Sequence, residues 1–598
     1  MKNRNSKWRL IVLISVATIG SLLSSCEDYL DRAPDANISD KDAFGSFVGF
    51  QGFVEEMYNC LVDYNKTLGG NYYYNFLCAD EVLSNSPLLW DDGNYWDQGR
   101  FLTGSKNTGL NPMNKRVWPL SWYAIRKANL GLTKLDLLTG TQEEKDLIKG
   151  QSLFFRGYFH FELIRFWGGM PYVDTLLSAT GELDLPRLNY RESALKAAKD
   201  LRAAAELLPV RWDDTQAGQA TLGSNSTRVT KIHALSFLGK NLLYAASPMM
   251  NEESTGNATY DAELAKEAAA VFADVIRICD ETGAYQLQTW DTWTDNFWVW
   301  SPGNRTRSGG TEVIMNPTVY IPSYPRWTTC RTSSPVQFGA GNSRVEVPTH
   351  NYVKNYRMAN GLPIDDPASG YDPDDPWANR EPRFYKDIVI DGDLMVNSTA
   401  AGPDRFAELY NGGRHKGGTQ GSVTGYYYRK WTPVGCNRWD NRWGAFQAYV
   451  PYMRLADVYL MYAESVLHGY GTPQSSVPGS LTAEQALNII RNRAQLPDLD
   501  AKFTGSKEVF MEALINERAV ELGFESHRWF DLRRWNLAGE TKYKVKTAID
   551  FDRDGNGKPI NLTERVVTTR VFEKKHSWLP IQVSYTRLYP EFPQNPGW

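Results

Sequence analysis

For a chain of 598 residues the sequence is poor in metal- and disulfide-forming side chains, with only seven histidines and six cysteines. The histidines do not cluster, and Cys26, Cys60, Cys78, Cys279, Cys330 and Cys436 are widely spaced. This excludes a His/Cys zinc pattern and a disulfide framework. Mostly unpaired thiols are expected, with any single disulfide left open. GxSxG, HExxH and P-loop signatures are also absent, so the common marks of hydrolases, zinc peptidases and NTPases are missing. Positive charge is not in excess either. The formal charge is −4, and it becomes −8 without Lys2, Arg4, Lys7 and Arg9. A mildly acidic surface argues against nucleic acid and against electrostatic adhesion to anionic lipid. Beyond residue 30 no apolar run reaches the roughly 20 residues that a membrane-spanning helix needs.

What is present begins at the N-terminus. The four cations just named precede an apolar stretch from Leu10 to Leu23, and no acidic residue interrupts them. As a helix these fourteen residues rise about 21 Å, short of the roughly 30 Å hydrocarbon core. The stretch therefore reads as a signal h-region. Leu23-Ser24-Ser25-Cys26 follows and resembles a lipobox, which implies removal of residues 1–25 and acylation of the Cys26 thiol. Two or more acyl chains give stable anchoring that a single chain does not.

The rest of the chain divides by its periodicity. Apolar residues recur at helical spacing over Val117 to Leu138, then from Thr141 to about Trp167, where Gly168, Gly169 and Pro171 end the pattern. Thr141-Gln-Glu-Glu144 has the form of a capping box. The helix it opens is apolar nearly all round, which predicts packing on both sides. Further helices are predicted over Arg191–Leu208, Thr230–Ala246, Asp261–Cys279, Met453–His468, Leu481–Ala494 and Lys507–Leu522. Successive antiparallel helices with short connections predict tetratricopeptide-like pairs. From about 284 to 450 Gly, Pro, Asn, Asp and Trp take over, and helical periodicity fades. Such irregular segments carry function on a rigid scaffold.

Several motifs then resemble one family. Cys26-Glu-Asp-Tyr-Leu-Asp31 with Pro34 is similar to the mature start of SusD-like (RagB/SusD) proteins. Ser152–Pro171, Tyr452–Glu464, Asn488–Arg493 and Ile515–Trp535 resemble that family's helical motifs, in the family's order. Trp578-Leu-Pro-Ile581 and Gln594–Trp598 resemble its closing signature. The resemblance implies a mainly α fold, an irregular superstructure of tetratricopeptide-like helix pairs with a loop-rich region of short strands carrying the ligand face. It also implies a single unit over 26–598: an N-terminal helical part (26–283), a ligand-binding region (284–450), and a C-terminal helical part with the closing segment (451–598). The implied role is a non-enzymatic lipoprotein on the outer face of the outer membrane. There it would capture glycan for a SusC-like TonB-dependent transporter and need no cofactor. Capture of peptide or protein for a peptide transporter is the alternative within the same family.

Sugar recognition asks for exposed aromatic faces beside hydrogen-bonding side chains, because pyranose C–H groups pack on π-faces while hydroxyls need polar partners. Asn85–Arg100 supplies Trp90, Tyr95 and Trp96, and Arg326-Trp327 adds a second group. Trp431–Trp443 adds Trp431, Arg438 and Trp439, with Asp440 and Arg442 nearby. Alternation in Trp298-Val-Trp300 marks that pair as core, whereas Trp290 and Trp293 fit either reading. Trp118, Trp122, Trp167, Trp529 and Trp535 lie on helical motifs and are expected in the core. Glu517 and Glu521 share a helix face but read as structural, paired with Arg518, Arg528 or Arg533. Lastly, Asp550, Asp552, Asp554 and Asn556 recur at every second position, with Gly555 and Gly557 to allow a turn, which fits either a Ca²⁺ loop or a polar turn between strands. Against the EF-hand pattern the closing position holds Thr563 rather than Glu, which favours the turn.

Overall fold

The computed structural model of the protein describes residues 39–62, 79–84, 91–93, 117–178, 184–300, 311–317, 334–335, 338, 346–418, 421–442 and 445–598. Cys26, Trp90, Tyr95, Trp96, Arg326 and Trp327 lie outside the described residues.

Helix α1 (Phe47–Tyr58) precedes a stack in which each helix packs on the next: α2 (Val117–Lys134), α3 (Gln142–Trp167), α4 (Tyr190–Leu207), α5 (Lys231–Ala246) and α6 (Ala262–Thr282). The chain then leaves the stack and returns as α7 (Leu455–Tyr470), which packs directly on α6. Helices α8 (Ala483–Arg493) and α9 (Lys507–Glu521) pack on α7, and the short α10 (Arg528–Arg534) follows. The stack is therefore continuous in space although it is interrupted in sequence.

Local chemistry explains these boundaries. Thr141 caps α3 through its hydroxyl, which accepts from the Glu144 N–H, while Glu144 accepts from the Thr141 N–H at 2.8 Å. Thr482 and Gln485 form the same reciprocal cap on α8. As its apolar circumference predicts, α3 is buried along almost its whole second half, from Gly150 to Trp167. Gly157 lets α4 come close. A Cβ there would lie 2.9 Å from Leu201 Cγ and 3.0 Å from the Ala197 carbonyl. The closing signature braces the end of α3: the Asn595 amide donates to the Trp167 and Leu579 carbonyls at 2.9 and 2.7 Å.

The strands are short and pair only in twos among the described residues. β1 (Val82–Ser84) pairs with β4 (Glu346–Pro348), β2 (Trp298–Trp300) with β7 (Phe446–Ala448), and β3 (Val313–Met315) with β8 (Met453–Arg454). β5 (Ile388–Val389) pairs with β6 (Tyr427–Tyr428), and β9 (Val545–Arg553) forms a hairpin with β10 (Pro559–Thr569). All five ladders are antiparallel. Among the described residues no helix is long and apolar enough to cross a membrane. Cys60, Cys279 and Cys436 are buried, and Cys78 and Cys330 lie outside the described residues.

Two apolar cores result. One runs through the helix stack. The other is largely aromatic, built from Trp293, Phe297, Tyr352, Tyr356, Trp377, Phe384, Tyr426, Tyr427, Tyr428, Trp431 and Phe446, with Phe524, Ile549 and Phe551 from the C-terminal third. A buried ionic seam joins the loop-rich region to the helices. Arg454 donates to Glu312 at 2.7 Å, Glu521 at 2.6 Å and Glu525 at 2.8 Å. Arg493 bridges Glu312 and Glu521, Arg383 reaches Glu381, Glu517 and Glu521, Arg491 reaches Glu517, and Lys430 reaches Glu525. Each of these side chains is almost wholly removed from solvent. Buried ions of one sign are tolerated only when the other sign compensates them, and here they alternate.

The seam corrects one expectation. Glu517 and Glu521 are structural, but their partners are Arg383, Arg491, Arg454 and Arg493 rather than Arg518, Arg528 or Arg533. Successive side chains on a helix diverge by about 100°, so Arg518 points away, to Asp457 and Asp531. Arg528 binds Asp80, and Arg533 donates to the Ser577 carbonyl.

Candidate functional site

The site is built on strand β2 and the loop that follows Trp431. Trp298 and Trp300 share one face of β2, both half-buried, with ring centroids 5.9 Å apart. Phe446 of the paired strand β7 lies under both, at 6.0 and 5.5 Å. The Trp298 indole N–H donates to the Lys430 carbonyl at 2.9 Å. Both rings pack half-buried against the aromatic core, the partial burial that the alternation suggests. Strand β2 is paired along one edge only among the described residues, so its outward side chains stay at the boundary.

Loop 435–442 is braced from within. The Asn437 side-chain carbonyl accepts from the Trp439 and Asp440 N–H groups at 3.0 and 2.8 Å, and its amide donates to Asp440 at 2.8 Å. The Asp440 carboxylate also accepts the N–H groups of Asn397 at 3.0 Å and Ser398 at 2.8 Å. On this frame stand two cation–aromatic pairs. The Arg442 guanidinium sits 4.0 Å from the centre of the Trp300 ring, and that of Arg438 sits 4.3 Å from Trp439. Both arginines are exposed and Trp439 is half-buried, its edge against Phe338 at 5.2 Å. Gly435 has φ +113°, and a Cβ there would stand 3.3 Å from Arg442 Cδ and 3.6 Å from the Trp300 ring. Glycine thus supplies a backbone that other residues rarely adopt and also leaves room for the Arg442–Trp300 pair.

The structure sorts the other predicted residues. Trp431 is not part of the face. It is fully buried against Phe297 at 5.7 Å, with its indole N–H donating to the Phe524 carbonyl at 3.3 Å. Its polar sequence neighbours concealed packing partners distant in the chain. Arg438 is exposed and Trp439 half-buried on loop 435–442. Trp290 is half-buried and stacks on the buried Trp293 at 5.6 Å, with Lys386 Nζ 4.1 Å from its ring. Partial burial lowers the affinity of that lysine for its proton. Trp298 and Trp300 are the members that sequence reasoning read as core, while Arg442 was noted beside Trp439; the signal for their meeting was tryptophan-rich segments whose pairing was unknown.

The oxygen-rich run at 550–556 does not form a cation cradle. Asp550 accepts from Lys416 at 2.8 Å and Arg565 at 2.7 Å, and Asp552 accepts from the amides of Asn411 and Asn561. Asp554 accepts the N–H groups of Asn556 and Lys558, both at 2.8 Å, as a turn residue does. With its carboxylates committed to separate cations and amides along the β9–β10 hairpin, the donor set does not converge on one point and does not fit a bound Ca²⁺. No group of three His, Cys, Asp or Glu side chains placed to hold a metal ion occurs among the described residues. Glu517 and Glu521, which share a helix face, are held ionised. Arg383 and Arg491 lower the first, and Arg493 and Arg454 lower the second, against the opposing effect of burial.

Comparison with known proteins follows from this geometry. The profile of the SusD family matches residues 299–598, and a profile described as "Starch-binding associating with outer membrane" matches residues 28–241. A SusD-like protein of Formosa agariphila is 24% identical over 441 residues, covering 72% of this chain and 73% of that protein. One from Bacteroides ovatus is 22% identical over 540 residues, covering 88% and 82%. Among solved structures, a SusD-like protein from Bacteroides fragilis matches with a TM-score of 0.68 at 21% identity, over 95% of this chain and 100% of the other. A second from that species, described as a SusD-like carbohydrate-binding protein, has a TM-score of 0.63 at 18% identity, over 91% and 98%. The same mainly helical superstructure with small scattered ladders is shared by these proteins. With half of the chain inside one family profile, the protein belongs to the SusD family, whose members associate with the outer membrane and are binding proteins rather than enzymes.

Proposed function

We propose that the protein is a cell-surface glycan-binding lipoprotein, held by lipid on Cys26 with its body facing outward. It captures oligosaccharide or polysaccharide and delivers it to a SusC-like TonB-dependent transporter. The lipobox at Leu23–Cys26, the starch-binding description of the N-terminal profile and the carbohydrate-binding relative support this reading. The observation that carries it is the rigid loop 435–442, which sets half-buried indole rings beside exposed guanidinium groups. Sugar C–H groups pack on the rings, and the guanidinium N–H groups donate to ring and hydroxyl oxygens. In this reading 284–450 is the ligand-binding region, and 26–283 and 451–598 hold it over the transporter. Trp90, Tyr95, Trp96, Arg326 and Trp327 extend the same face. Modest site affinity suffices, because tethering beside a pore raises the effective concentration of captured ligand.

The test is affinity electrophoresis of the mature chain against a polysaccharide panel, followed by Trp300→Ala with Trp439→Ala on the ligand found. Retarded migration that the double variant abolishes supports the reading. Retardation that the variant leaves intact places the ligand elsewhere, and binding of peptides with no retardation by any glycan favours the peptide-capturing alternative.

A further inference from the structure

Resting on the reading of loop 435–442 as the ligand face, we infer that its ligand is an anionic oligosaccharide, bearing uronate carboxylates or sulfate esters, bound by Arg438 and Arg442.

Most other arginines of the loop-rich region are spoken for. Arg414 faces Asp404 at 3.7 Å, and the buried Arg380 donates to the Pro376 and Tyr356 carbonyls. Arg383 is enclosed by three glutamates, and Arg429 faces Asp393 at 3.8 Å. Arg438 and Arg442 differ. Both are exposed, each guanidinium centre lies within 4.3 Å of an indole ring centre, and neither has a carboxylate partner among the described residues. The carboxylate between them in sequence, Asp440, is turned inward and holds three N–H donors from Asn397, Ser398 and Asn437. In a chain with 69 acidic and 65 basic side chains, two unmatched cations on one loop run against the overall charge.

The geometry suits an anion better than a neutral hydroxyl. A guanidinium packed beside an aromatic ring still presents N–H donors to solvent, and their fork matches the two oxygens of a carboxylate or sulfate. Stacking also fixes the arginine before the ligand arrives, so less side-chain freedom is lost on binding. A neutral sugar laid over the same loop would strip water from two full charges and return only ordinary hydrogen bonds. An anionic sugar neutralises both charges.

The experiment uses the mature chain and three probes, an oligogalacturonate, a sulfated galactan oligosaccharide and maltoheptaose, titrated by calorimetry at about 50 mM and about 500 mM salt. The expected result is binding of an anionic probe that weakens at the higher salt. Arg438→Gln with Arg442→Gln should reduce it about tenfold or more, and the two lysine variants should restore only part, since lysine keeps the charge but loses the fork. The two anionic probes distinguish carboxylate from sulfate as the source of the charge. Binding of an anionic probe that the double glutamine variant leaves unchanged overturns the inference. So does binding of maltoheptaose alone, lost in Trp300→Ala but kept in the glutamine variant, which leaves the aromatic face standing and removes its charge preference. Absence of binding by all three probes, with retention of some other neutral glycan, also overturns it.

Discussion

Within the helix stack, neighbours meet mainly through aliphatic and aromatic side chains spaced by the helical repeat, with separate buried ion pairs such as Arg156–Asp200 and Lys240–Asp457 set among them. Where the stack meets the loop-rich region, the contact is made by arginines and glutamates, with Arg454 touching three carboxylates at once. The two joints have different tolerances. An apolar joint loses stability in proportion to the area or volume disturbed, whereas an ionic joint fails when one member leaves its partners charged and unmatched. The ionic joint also fixes direction. Arg454 can satisfy Glu312, Glu521 and Glu525 together in one arrangement, and that arrangement sets where β8, and through β7 the strand β2 with Trp298 and Trp300, stands relative to the helices.

The comparison can be broken most severely at the seam. Arg454→Met, which keeps volume and removes charge, should cost about 3–5 kcal/mol in denaturant unfolding. A loss no larger than that of a typical surface substitution would show that the carboxylates re-pair or take up protons without penalty. In the stack, Gly157→Leu forces atoms into the space held by Leu201 and should cost about 1–3 kcal/mol. An unchanged unfolding midpoint would mean that α3 and α4 separate freely. At the ligand face Trp300→Ala should weaken glycan binding about tenfold while stability falls less than in either variant above. Equal losses in binding and stability would instead mark Trp300 as a core residue.

A smaller effect lies in pH. Burial, with the neighbouring Asp80 carboxylate, raises the Glu81 carboxyl from 4.5 to about 8. The folded chain keeps this proton after the unfolded chain has released it. Its contribution to stability is therefore complete at pH values below about 4.5 and is lost as the pH rises towards 8. Glu81→Gln should flatten that part of the stability profile, measured by unfolding at a series of pH values; parallel profiles would contradict the shift. Smallest of all, millimolar Ca²⁺ should leave the melting temperature unchanged, because the carboxylates of 550–554 are already partnered. A clear rise on adding Ca²⁺, reversed by chelator, would restore the cation-loop reading.

Much of the stack was legible because its information is local. Periodicity gave the helices to within a few residues, and the Thr141 and Thr482 caps were readable as residue pairs three apart. One boundary moved for a non-local reason: Met453 and Arg454, predicted as helix, form a strand because Val313 and Met315 pair with them. The site was less legible. Trp431 and Trp439 have similar polar neighbours in sequence, yet the first is enclosed by Phe297 and Phe524 and the second stands at the surface. The Glu517 and Glu521 partners come from three separate segments, so helix spacing alone could not find them. Nor could it show that Arg442 lies on Trp300, a contact that depends on the β2–β7 ladder.

The account rests most on loop 435–442 being the ligand face that the seam holds in place. The direct test is calorimetric titration of the mature chain and of Trp300→Ala with Trp439→Ala against the glycan identified by the panel, with Trp290→Ala as the control outside the loop. The account predicts loss of binding in the double variant, an unfolding midpoint close to that of the parent, and near-parent affinity in the control. Full affinity in the double variant would contradict it.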